Sequence, residues 1–187
     1  MKKLLTIPLL FTLSIVNAQE ISYGFKAGVN LTGFHTQNGT NSDLVGYNFG
    51  GVLKINLNKT FDFQGEILLN RKGGIYRYSN IAIENPEVKL TYLNIPILFK
   101  INITDKFNFH AGPEMGILLA KKATLSGEKI EVDVNSNFDL NVLGGLEYQF
   151  QNGIFIQTRY SYGLTKLFEN KDYKNSAISL SVGYFLN

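Results

Sequence analysis

Residues able to do chemistry are scarce in this chain. It has two histidines and no cysteine, so thiolate metal sites and disulfides are excluded. A metal site would need carboxylates gathered around His35 or His110, and neither has a ligand-spaced partner. His35 lies close to Ser42 and Asp43, so a Ser-His-Asp hydrolase can be drawn there, although three common residues on one polar stretch read more simply as loop. Gly73-Gly74 closes an alternating segment and cradles no phosphate. Lys121 and Lys122, with Glu128, Glu131 and Asp133, form a stretch of mixed sign that reads as a solvated loop. No catalytic, cofactor-binding or metal-binding residue is assigned, and no cofactor is expected.

The other ionisable residues follow a parity. Lys26, Lys54, Asp62, Glu66, Lys100, His110, Glu114, Asp139, Glu147 and Arg159 fall on the same side of alternating segments, with Asn30, Asn48, Gln64, Asn94 and Gln157 between them. Their charges nearly balance. Buried charges are tolerated only when paired and hydrogen-bonded, so this set reads as a polar network filling an interior, with His110 as a hydrogen-bonding member.

Eight segments alternate apolar and polar residues and must position this set: 22–33, 44–57, 61–74, 88–101, 106–120, 137–150, 153–164 and 175–186. The plainest is Phe138 to Leu164, two period-two arms flanking Asn152-Gly153, a strong hairpin signal. Each arm is about twice the ~5–6 residues of an ordinary strand and matches the ~9–11 that a tilted strand needs to cross a bilayer. Tight links at 58–60, 102–105 and 151–152 alternate with longer polar ones at 34–43, 75–87, 121–136 and 165–174. The expected fold is therefore all-β: an eight-stranded antiparallel up-and-down transmembrane β-barrel, with short periplasmic turns and long extracellular loops.

A soluble periplasmic ligand-binding barrel would show the same alternation with its faces exchanged. Each strand carries about five bulky apolar residues, such as Ile178, Leu180, Val182, Tyr184 and Leu186, and an eight-stranded interior cannot hold them all. The opposite face mixes charges with Gly24, Gly28, Gly46, Gly50, Gly112, Gly116, Gly145 and Gly183, which suits a crowded lumen. Tyr23, Phe25, Phe61, Phe63, Phe107, Phe109, Tyr148 and Tyr184 gather near the tight turns, where an interfacial girdle belongs. No charge falls on the lipid face in mid-strand, where it would cost ~2–4 kcal/mol. Pro96 and Pro113 interrupt adjacent strands, which predicts a bulge where they meet.

Residues 1–18 read as a cleaved signal peptide, with Lys2 and Lys3, an apolar run from Leu4 to Val16, and a cut between Ala18 and Gln19. Residues 19–187 then form one outer-membrane β-barrel domain. The whole chain carries +3, and loss of Lys2 and Lys3 leaves about +1, so no nucleic-acid partner is expected. Mean hydropathy close to zero argues against helical spans and is compatible with a barrel.

Four stretches, YGFKAGVNLTGF (23–34), FQGEILLNRKGG (63–74), TYLNIPILFK (91–100) and FHAGPEMGILL (109–119), together resemble the outer-membrane β-barrel family common in Bacteroidetes that contains the PorT-like proteins. The resemblance spans essentially the whole mature chain, with Asn94 standing where similar proteins often carry an acid. It implies an eight-stranded barrel in the outer membrane, mostly of unassigned role, with some members serving protein secretion; the leading reading of the residues is a non-enzymatic integral barrel with a plugged lumen, whose loops or rim contact other envelope or secretion components. It also implies partners: outer-membrane lipid, the barrel-assembly machinery that would read the apolar end Val182 to Asn187, and protein-secretion components. The alternative is an outer-membrane enzyme acting on lipid or peptide at the cell surface, with His35 as its centre.

Overall fold

The computed structural model describes residues 20–36, 39–75, 86–131, 134, 136–167 and 173–186. Residues 1–19, on which the expected signal peptide and its cut between Ala18 and Gln19 fall, lie outside them. Nine strands follow in order: β1 (Ile21–Thr36), β2 (Gly39–Asn56), β3 (Phe61–Ile75), β4 (Glu87–Asn102), β5 (Phe107–Leu125), β6 (Glu128–Ile130), β7 (Phe138–Gln149), β8 (Ile154–Gly163) and β9 (Lys174–Leu186). Every pairing is antiparallel. β9 returns to β1 with Tyr23 opposite Leu186 and His35 opposite Lys174, and β4 pairs with β5, so the eight long strands close into a ring. β6 pairs only with β5, so eight strands build the wall. Among the described residues no helix is long and apolar enough to cross a membrane, which says nothing of strands.

The alternation in sequence becomes an alternation of faces. Along β8 and β9 buried and exposed positions alternate over most of each strand. The exposed set is apolar, including Val29, Val45, Ile67, Ile117 and Leu180, while the buried set holds most of the charged strand residues. This is a water-soluble protein turned inside out, with the polar atoms as core.

Short side-chain caps make the tight turns. Asn58 Oδ1 accepts the backbone N–H of Thr60 and of Phe61, each at 2.9 Å, and Thr104 Oγ1 accepts that of Phe107 at 3.0 Å. Gly153, at φ 84°, supplies the left-handed residue that turns β7 into β8. Gly183 serves packing instead: a Cβ there would fall on the Phe155 ring, which fills the space beside it.

Three expectations are corrected. The prolines do not bulge the sheet: Pro96 stays opposite Glu114 and Phe99 opposite Ala111 in one register, with the pairing simply interrupted between them. Proline removes a donor without adding a residue. The register shift lies higher, between Thr91 and Tyr92, where β5 accommodates an extra residue at Leu119. The first and third long links are also largely strand. β1 and β2 continue to Thr36 and Gly39, and β5 continues to Leu125 before turning through Ser126 and Gly127, at φ 51° and 87°, into β6. Strands of 15 to 19 residues in β1 to β5 exceed what a bilayer requires, and the tight turns put the surplus at the opposite end, beyond the membrane.

Candidate functional site: the barrel lumen

Strand order decides who meets whom inside. β3 and β8 face each other across the ring, so Glu66 and Arg159 reach to the middle and join as a fork: Nη1 to Oε2 at 3.0 Å and Nη2 to Oε1 at 2.8 Å. Lys26 from β1 adds its Nζ 2.9 Å from Glu66 Oε2 and donates to Gln157 Oε1 at 2.7 Å. Below them Lys100 pairs with Glu147 and donates to Gln64 Oε1 at 2.8 Å. Gln64 donates back to Glu66, Gln157 donates to Glu147 at 2.9 Å, and Arg159 donates to Gln157 at 2.6 Å. The bonds thus form a closed circuit through Glu66, Arg159, Gln157, Glu147, Lys100 and Gln64. Removing one member strands its neighbours in a site without bulk water.

His110 is fully buried beside this circuit and accepts from Arg159 Nε at 3.4 Å through Nε2. Gly145 leaves it room, since a Cβ there would stand 2.7 Å from His110 Nε2.

The outer layer centres on Asp139. Its Oδ2 accepts from Asn141 and Asn175, each at 3.0 Å, with Lys72 Nζ at 3.8 Å, and Lys72 also pairs with Glu114 at 2.7 Å. An amide chain runs beside it, Asn48 to Asn30 at 2.6 Å and Asn30 to Asn70 at 2.7 Å. Asn94 is buried with neither side-chain polar atom bonded to protein, as are Asp139 Oδ1, Asn141 Oδ1 and Asn175 Oδ1. Buried acceptors of this kind are commonly satisfied by ordered water. At the inner layer Asp62 Oδ2 accepts from Asn102 at 3.1 Å, and Lys54 donates to Gln149 at 3.0 Å while lying 4.6 Å from the Phe185 ring centroid.

All ten ionisable residues singled out by parity, Lys26, Lys54, Asp62, Glu66, Lys100, His110, Glu114, Asp139, Glu147 and Arg159, are buried. Lys72 belongs with them and escaped sequence reasoning. It shares the parity of Asp62 and Glu66, so the signal was present, but its place at the strand end beside Arg71 resembles a rim charge. With Lys72 counted, five buried cations accompany five buried carboxylates among the described residues, and His110 lies among them.

The two ends differ. Outward, Phe34, Val88, Leu90, Tyr92, Ala123 and Leu167 form an apolar cluster against which Val134 and Tyr173 pack, with the Phe34 and Tyr173 rings edge to face at 5.5 Å. Inward, Val52, Phe155 and Phe185 cluster beside an open cavity of about 570 Å³ bordered by Lys54, Asp62, Asn102, Asn108 and Gln149. Between the ends, a cavity bordered by Lys26, Glu114, Arg159 and Ser161 holds only about 20 Å³, roughly one water.

The drawn triad gains nothing from the fold. His35 stacks edge-on against Tyr162 with centroids 4.9 Å apart, and the side chains of Ser42 and Asp43 lie outside the described residues. Among the described residues no three His, Cys, Asp or Glu side chains gather as metal ligands.

Comparison with known proteins places this geometry. Ail, the attachment invasion locus protein of Yersinia pestis, superposes with a TM-score of 0.58 at 16% identity, covering 89% of this chain and 99% of Ail. Neisserial surface protein A gives a TM-score of 0.62 at 14% identity, covering 88% of this chain and 98% of that protein. At these identities the likeness is one of fold. No curated protein matches the chain in sequence. The model of the outer membrane protein beta-barrel domain matches residues 17–169. The chain is therefore an outer-membrane protein, and it belongs to the outer membrane protein beta-barrel domain family.

Proposed function

We propose that this is a non-enzymatic integral barrel whose lumen is a plug and whose outer rim contacts other envelope components, those of protein secretion first among them. The observation that supports it is the cross-lumen Arg159–Glu66 fork within a closed hydrogen-bond circuit, with room for about one water beside it. Such a barrel offers solutes no path and leaves its outward ends as the working surface. The PorT-like resemblance of the stretches at 23–34, 63–74, 91–100 and 109–119 supports the secretion reading, and the assembly machinery and outer-membrane lipid complete its set of partners.

Deleting the gene and comparing released proteins with leakage of periplasmic markers tests this. Selective loss of secreted proteins with an intact envelope is the expected result. Unchanged secretion removes the secretion role. A surface enzyme acting on lipid or peptide remains the competing class, and loss of such an activity in a His35→Ala variant would favour it.

A further inference from the structure

Extension of β5 beyond the bilayer turns two lysines of a presumed loop into strand residues and sets Lys122 directly opposite Lys89 of β4. Val88, Leu90 and Ala123, their neighbours, are buried, so alternation directs Lys89 and Lys122 to the outer surface. Arg71 of β3 stands between buried Asn70 and Lys72 and also points outward, its guanidinium 5.9 Å from the Tyr47 ring. Arg71 pairs with Thr91 and Lys89 with Gly73, so the two cations occupy diagonal positions on adjacent strands, about 7–8 Å apart.

On these strands the bulky lipid-facing residues run up to Leu69, Leu93 and Leu119; Arg71 is the next outward residue on β3, and the Thr91–Ala120 pair separates Leu93 and Leu119 from Lys89 and Lys122. Directly opposed like charges destabilise a sheet. Glu87 pairs with Lys89 and offsets one charge, while Lys129, opposite Thr124, adds a cation above and Glu128 an acid beside it. The cluster stays net positive just beyond the apolar band. We propose that Arg71, Lys89 and Lys122 bind the phosphate of an outer-leaflet lipid headgroup. An anion shared between Lys89 and Lys122 turns their repulsion into attraction, and the Arg71 fork supplies paired donors to phosphate oxygens.

The test uses the full protein, refolded in detergent and shown to be folded by its altered migration in unheated gels. Native mass spectrometry measures retention of a bisphosphorylated lipid A, of the same lipid with its phosphates removed, and of inorganic phosphate alone. The wild type should retain the phosphorylated lipid preferentially. Each cation lost from the set R71Q, K89Q and K122Q should weaken retention about fivefold. The charge-conserving K89R/K122R variant should keep it, and E87Q should strengthen it. Equal retention of both lipids by the wild type, or a preference that survives the triple substitution, would overturn the site. Retention of inorganic phosphate as strong as that of the lipid would make it a free-anion site and overturn the lipid assignment.

Discussion

At the outer mouth Phe34, Val88, Leu90, Tyr92 and Leu167 pack together as a hydrocarbon cluster, whereas at the inner mouth Lys54, Asp62 and Asn108 border an open polar cavity of about 570 Å³. Strand length is the physical source of the difference. Surplus residues of β1, β4 and β5 carry the barrel beyond the bilayer, and their inward positions need a core of their own; a side chain from the β8–β9 link, Leu167, completes it. The inner ends, among the described residues, join through short capped turns, which lay no apolar cluster over the opening. Among the described residues the charge network has hydrocarbon on one side and an open polar cavity on the other, so depth should govern what each member is worth.

The carboxylate shared by two buried cations should give the largest effect. Glu66→Ala leaves Lys26 and Arg159 facing each other without a carboxylate and should cost about 3–5 kcal/mol, read as a lower urea midpoint for loss of the unheated gel band. Removing the outer seal comes next. Phe34→Ala should cost about 3 kcal/mol and speed amide exchange at Val88 and Leu90 while leaving the strands around Glu147 protected; exchange that rises equally at both ends would erase the distinction between the mouths. Gly183→Ala drives a Cβ onto Phe155 at the inner cluster and should cost about 1–3 kcal/mol by overpacking. The smallest effect belongs to the inner mouth. Lys54→Gln should cost under about 1 kcal/mol in the same urea assay, because water from the open cavity can replace the ammonium as donor to Gln149. A cost near that of Glu66→Ala would show that the inner mouth is as dry as the centre.

Strand number, order and faces were legible because period two is a strong signal when lipid replaces water: one residue of slip would place Glu66 or Arg159 in hydrocarbon. The partners of those charges were not legible. That Glu66 meets Arg159, 93 residues away, follows from ring closure between β9 and β1, which no local pattern encodes. Lys72 was readable by parity and hidden by its neighbour Arg71. The length of the outer strands was obscured because polar residues beyond the bilayer resemble loop, although Ser126-Gly127 carries a turn signal that would have divided 121–136 into a hairpin. The prolines misled because a missing donor interrupts pairing without shifting register.

The central claim, that the lumen is a plug, is tested most directly by recording from the purified barrel in planar bilayers. The account predicts no stepwise conductance from the wild type, and none from a variant lacking only the outer seal, Phe34→Ala with Leu167→Ala, because the Arg159–Glu66 circuit below it remains. Stable unitary steps from the wild-type protein would contradict the account and make the lumen a pore.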